Sequence, residues 1–407
     1  MPRSHAAATP ARPSAGTKAK PSRAGSTPAT RNDAPVATTQ EIADLAWAGQ
    51  HAKAIELATA ALTGKHTTAQ QLELLDLRAE SHIALGDLRR AGDDADAMVK
   101  LARSAKTPGS MAQALNRRAL VQMRSREFEA ALATATTALR NAKKSKGKRL
   151  IAMSLFRLAE AQYRAEPVEK VLEYATEAAA IFKALGDPSG QGRALWVVSM
   201  WRGRQGRATE GDQAAAEALA LCRSCGDLYG AGNALNMLVF HEPDLATVLK
   251  QRSLALADFE AAGYVERQTI ITGNQGIVYA RLGLYRRARR LYLKASEMYR
   301  RMGASAPANS YAALAEIEFE MGHLERARAQ AAAMEAIVND LSGALTRYAL
   351  ADTQGQVALL AGDAATALRQ FERAHAIARD GDLASSEIGA LGISHRRQIF
   401  AFDDHSS

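Results

Sequence analysis

Gly283 to Ala295 reads GLYRRARRLYLKA. A helical segment ends at Arg281-Leu282, the glycine turns the chain, and Tyr285 opens the next helix. Ala288 and Ala295 stand five and twelve residues past the glycine. The same frame, counted outward, places inter-helix turns at Gly49, Gly86, Arg126, Glu166, Gly206, Pro243, Gly283, Gly322 and Gly362. Their spacings are 37, 40, 40, 40, 37, 40, 39 and 40 residues. A fixed period of this length is the mark of stacked repeats.

Small residues hold the frame. Five past each turn come Ala54, Ala91, Ala131, Val171, Gly211, Val248, Ala288, Ala327 and Ala367. Twelve past, seven of nine are alanine, and Met98 and Met334 complete the set. Seven before the turn, Ala79, Ala119, Ala159, Ser199, Gly276, Ala315 and Gly355 recur. A small residue at one fixed point on each helix lets paired helices approach closely. Beyond the N-terminal tail, Pro108, Pro167, Pro188, Pro243 and Pro307 all fall in predicted turns. Proline inside a helix would cost about 3 kcal/mol.

The composition agrees with an all-α fold. Apolar residues make up 47% of the 407, enough for a core, while aromatics are only 5%. Alanine, the best helix former, is abundant, and no alternating Val/Ile/Thr runs announce strands. Residues 1–38 are rich in Ala, Pro, Ser and Thr and carry +5 of the net +9, leaving +4 for the other 369 residues. That tail cannot bury enough surface to offset its ordering entropy and is expected to be disordered. The folded part is then only mildly basic, so nucleic acid is expected as a partner only through the tail. No uncharged run approaches the roughly eighteen residues needed to cross a bilayer. No continuous apolar core marks the N-terminus as a secretory signal, so a cytoplasmic location is the default expectation.

Leu85-Gly86-Asp87-Leu88, Leu282-Gly283-Leu284-Tyr285 and Met321-Gly322-His323-Leu324, each followed by the paired small residues, resemble the tetratricopeptide repeat (TPR) family. The longer period resembles arrays attached to nucleotide cyclases and transcription regulators in bacterial signalling. The resemblance covers about residues 39–380. It implies a right-handed superhelical solenoid of about nine helix pairs, with a capping helix within 381–407. A HEAT-type solenoid has a similar period but would not require the small residues at plus five and plus twelve. Gly-Asp mostly replaces the proline that often closes a TPR unit, and Arg126 and Glu166 replace the turn glycine.

Motifs for chemistry are sparse. Cys222-Arg-Ser-Cys225 is a CxxC, but the frame places both cysteines at core positions of a second helix, where cysteine behaves as a small hydrophobe. There is no second cysteine pair for a zinc site, no HExxH, no GxxxxGK[ST] and no GxSxG. The expectation is a non-enzymatic chain with no cofactor and no metal.

One stripe stands out. Two residues before the turn come Arg124, Arg164, Arg204, His241 and Arg281 in five consecutive units. In the family it resembles, this part of the first helix faces a concave groove. Asn116, Trp196 and Asn233 occupy the position eight further back, and Tyr163 and Phe240 precede stripe positions. Such a surface suits an extended acidic or phosphorylated peptide, because a guanidinium binds carboxylates bidentately and stacks on rings. The bland alternative is helix-end capping by arginine, with Asp76, Glu80, Glu160 and Glu316 neutralising the stripe internally. The expected function is a scaffold that binds a protein or peptide. The alternative is the regulatory input arm of a larger signalling protein whose output domain lies beyond this chain.

Overall fold

The computed structural model describes residues 38–381 and 383, except 166, 240–241, 304–305 and 340–341. Among these residues there are eighteen α-helices and no strands. They form nine pairs: α1 (Thr39–Trp47) with α2 (His51–Ala61), α3 (Thr68–Leu85) with α4 (Leu88–Ala105), and α5 (Pro108–Arg124) with α6 (Phe128–Ser145). Then come α7 (Lys148–Ala165) with α8 (Lys170–Ala184), α9 (Pro188–Arg204) with α10 (Ala208–Ser224), and α11 (Leu228–Met237) with α12 (Leu245–Ala261). The last are α13 (Val265–Arg281) with α14 (Tyr285–Arg301), α15 (Ala308–Glu320) with α16 (Leu324–Glu335), and α17 (Ala344–Leu360) with α18 (Ala364–Asp380). The expected capping helix, the basic tail and the Glu166 turn lie outside the described residues.

The turns form for a local reason. Gly49, Gly86, Gly206, Gly283, Gly322 and Gly362 all have φ between +69° and +81°, the left-handed conformation that ends a helix without side-chain clash. Arg126 takes the same conformation at +67°, so the third unit keeps the turn without the glycine. The Gly-Asp pairs serve two helices at once. Gly86 ends α3, and the carboxylate of Asp87 accepts from the Arg90 N–H to cap α4. Asp187, Asp227 and Asp363 cap α9, α11 and α18 in the same way. Pro108 and Pro188 sit in the first turn of α5 and α9, where no N–H is missed.

Every plus-five and plus-twelve residue of the frame is buried. So are the small residues at minus seven. Their role is direct contact: a Cβ on Gly355 would stand 2.6 Å from the Phe371 ring, and one on Gly276 2.9 Å from that of Tyr292. Gly355→Val is expected to destabilise the C-terminal pair by about 1–3 kcal/mol through overpacking, seen as a lower urea midpoint. An unchanged or higher midpoint would contradict the close-approach role.

Each helix packs on its sequence neighbours, and successive first helices from α1 through α11 also touch one another. The first helices therefore line the inner side. The array curves until its beginning meets its middle. His51, 1% exposed, donates from Nε2 to the Ala262 carbonyl (2.9 Å) and accepts at Nδ1 from the Ser81 hydroxyl (3.3 Å). A carbonyl only accepts, which fixes this tautomer. The His51 ring meets Tyr264 edge-on at 5.3 Å, and the Tyr264 hydroxyl donates to Glu80. Gly49 and Gly263 bring their backbones together: a Cβ on Gly49 would overlap the Ala261 carbonyl, and one on Gly263 would lie 2.6 Å from the Gly49 carbonyl oxygen. These contacts form a clasp between the first two units and the α12–α13 turn.

Candidate ligand groove

Three inner helices enclose a cleft of about 320 Å³. Asp76 of α3, Asn116, Arg117 and Leu120 of α5, and Met153 and Arg157 of α7 form its walls. Asn116 is 5% exposed. Its side-chain amide donates to the Ser154 hydroxyl (2.8 Å), and its carbonyl oxygen is buried without a partner. A buried, half-satisfied amide at a cleft wall is suited to receive a backbone N–H from a bound chain.

The arginine stripe is not one surface. Arg124 is 4% exposed and its guanidinium meets Glu160 (3.1 Å), Glu266 (3.3 Å) and the Tyr229 hydroxyl (2.9 Å). Its charge is used inside the protein, as the internal-neutralisation alternative foresaw. Arg164, 27% exposed, lies 3.7 Å from Glu160. Arg204 and Arg281 are exposed at the ends of α9 and α13. His241 and Phe240 fall outside the described residues. Trp196 is buried, with the Arg267 guanidinium 5.6 Å from its ring centroid. The buried Asn233 amide donates to the Tyr229 carbonyl (3.0 Å), so it serves its own helix. Tyr163 is half-buried against the core. Arg164 is thus part-exposed on α7, while Asn116, Arg124, Trp196 and Asn233 are buried, Asn116 at the cleft wall.

The sequence frame named Asp76, Glu80 and Glu160 but missed the arginines that organise this interior with them. Arg117 bridges Asp76 (2.6 Å) and Glu80. Arg157 reaches Glu160 (3.1 Å). Arg193 grips Asp227 with two bonds of 2.7 and 2.9 Å. Arg117 and Arg157 both stand nine before their turns, so a wider periodic search would have found them. Tyr229, Tyr264, Glu266 and Arg267 come from across the clasp and share no such register. Glu160 is completely buried. Burial alone would raise its pKa, but Arg124, Arg157, Arg164 and Arg267 together outweigh burial and hold the carboxyl down at about 2.

The cysteines are free. Cys222 is fully buried, and burial first, with Asp227, pushes its thiol up to about 12. That leaves it protonated and unreactive. Among the described residues no helix is long and apolar enough to cross a membrane, and no group of His, Cys, Asp and Glu could hold a metal.

No protein-family model matches the chain, and no curated protein matches it. Solved structures do. A Rap protein complexed with Competence and Sporulation Factor superposes with a TM-score of 0.60 at 14% identity, covering 84% of this chain and 97% of that one. A signal transduction ATPase with numerous domains, carrying a tetratricopeptide repeat sensor, from Pyrococcus horikoshii gives 0.52 at 16% identity, over 88% of this chain and 56% of that one. Aspartyl phosphate phosphatase F from Bacillus subtilis gives 0.50 at 12% identity, over 86% and 94%. The fold is therefore an all-α, TPR-like solenoid resembling Rap-type and other TPR signalling proteins. The phosphatase corrects one expectation: the absence of familiar active-site motifs does not make this architecture non-enzymatic, because a protein with a catalytic name is built on it. A repeat array can act on a partner's group by positioning scattered polar side chains, and sequence motifs do not register that.

Proposed function

We propose that this chain is a TPR-family receptor of the bacterial signalling type that takes an extended peptide, or a peptide-like segment of a protein, along its inner helices. The observation that carries this is Asn116, a buried amide with an unpartnered carbonyl oxygen at the wall of a groove-facing cleft. Arg149, which lines the same cleft and is 71% exposed, favours an acidic ligand. The complex of a Rap protein with a signalling factor supports the reading by fold. Two unpaired cysteines suit a reducing cytoplasm. An input arm of a larger regulator is the second reading, favoured by the ATPase whose repeat portion serves as a sensor.

The test presents full-length protein to an array of random ten-residue peptides. A defined set with acidic positions should be captured. Asn116→Ala should then weaken that set about tenfold, the worth of one well-placed buried hydrogen bond. Featureless capture, or capture indifferent to Asn116→Ala, would overturn the proposal.

A further inference from the structure

Further along α7 from the cleft, the interior charges do not balance. Among the described residues, Arg117, Arg124, Arg157, Arg164 and Arg267 supply five positive charges against the four of Asp76, Glu80, Glu160 and Glu266; Arg193 and Asp227 cancel. The shortfall falls at one end. The Nε–H groups of Arg164 and Arg267 are both buried with no acceptor. Arg267 is only 6% exposed, its guanidinium 3.9 Å from Glu266 and 5.6 Å from the centroids of both Trp196 and Tyr229. The Tyr229 hydroxyl accepts from Arg124 (2.9 Å) and Arg267 (3.1 Å) together. Arg124 has Glu160 and Glu266 besides, so the shortage falls on Arg267, whose Nε stands 3.9 Å from its nearest carboxylate, Glu266. Burial would raise the Tyr229 pKa, but Arg124 and Arg267 bring it below that of an ordinary phenol, in keeping with a positive field. Arg164 and Glu266, 27% and 23% exposed, mark the side of this cluster nearest solvent.

We propose that the Arg164–Arg267 end of this arginine cluster is a receptor for a single carboxylate. The oxyanion supplies the acceptor that the two Nε–H groups lack and restores neutrality. The stacked faces of Trp196 and Tyr229 fix the Arg267 plane that presents one of them. Arg164 follows Arg157 by seven residues, about 10 Å along the helix, or roughly three residues of extended chain. A peptide that passes Arg157 in the cleft wall therefore reaches the receptor with an acidic side chain or a C-terminus about three residues on. The identity of the carboxylate's carrier rests on the peptide reading, whereas the receptor itself does not.

The test uses small probes on the full chain. N-acetylglycinate mimics a C-terminus, N-acetylaspartate N-methylamide mimics an acidic side chain, and N-acetylglycinamide is the neutral control. Thermal stability and tryptophan fluorescence are followed in wild type and in Arg164→Gln, Arg267→Gln and Arg286→Gln, the last an exposed arginine outside the cluster. At least one carboxylate should bind wild type and Arg286→Gln, and bind Arg164→Gln at least tenfold more weakly; which probe binds more tightly names the source. If Arg267→Gln does not fold, the more exposed Arg164→Gln still decides. An equal response to the neutral amide or to chloride, or full binding by Arg164→Gln, would overturn the receptor. Asn116→Ala should leave probe binding unchanged, so failure of the peptide reading and failure of the receptor are told apart.

Discussion

Glu160→Ala is expected to destabilise the protein by about 3–5 kcal/mol, the range for removing one partner from a buried charge pair. The carboxylate is completely buried and accepts from Arg124 and Arg157 at 3.1 Å each, with Arg164 at 3.7 Å. Its loss takes the paired carboxylate from Arg157 and Arg164 and leaves Arg124 with Glu266 and Tyr229 alone. A second route gives a similar size. The Glu160 carboxyl stands at about 2 in place of 4.5, and a shift of that size corresponds to about 3 kcal/mol. The sign follows from the depressed value. The folded state binds fewer protons than the unfolded chain, so this contribution is complete above about pH 4.5. It is lost as the pH falls toward about 2. Urea titrations of wild type at pH 7 and pH 3 should show the loss, and Glu160→Gln should remove much of the difference. A Glu160→Ala penalty below about 1 kcal/mol would mean that the arginines find other acceptors or water.

The repeat was legible because it is written in local terms. Turn glycines must adopt positive φ, and small residues must stand where helices touch, so both recur whatever the ligand. Arg126 shows the limit, since a left-handed arginine holds the turn where the glycine is missing. The proposed groove is less legible. No register distinguishes Arg124, spent on internal carboxylates, from Arg281, left at the surface. That distinction depends on Glu266 and Tyr229, which come from helices α13 and α11. The clasp was not legible at all. His51 and Ala262 are 211 residues apart, and they meet only because small rotations between successive pairs add up over several units.

The clasp leads to the second large effect: Gly49→Ala should open the array without unfolding it. Gly49 has φ +75°, so alanine there carries about 1–2 kcal/mol of left-handed strain. Its Cβ would also overlap the Ala261 carbonyl of the opposing turn. Gly206 separates these two effects, because it has φ +73° and open space around it. Gly206→Ala should lose only the local strain, whereas Gly49→Ala should also release His51, Tyr264 and the backbone contact at Gly263. Pairs within a solenoid are held mainly by their neighbours. Helicity should therefore stay near wild type while the radius of gyration from small-angle scattering rises in Gly49→Ala alone. Acid should act in the same direction. Burial, chiefly, lowers the His51 pKa from 6.5, opposed by the Ala262 carbonyl and Glu80. With the folded value depressed, the clasp is fully stabilised above pH 6.5 and weakens as the pH falls below it. His51→Gln should flatten that dependence. If scattering from Gly49→Ala matches that of Gly206→Ala at every pH, the two ends of the clasp do not hold the array closed, and the groove is kept in shape by the repeat packing alone.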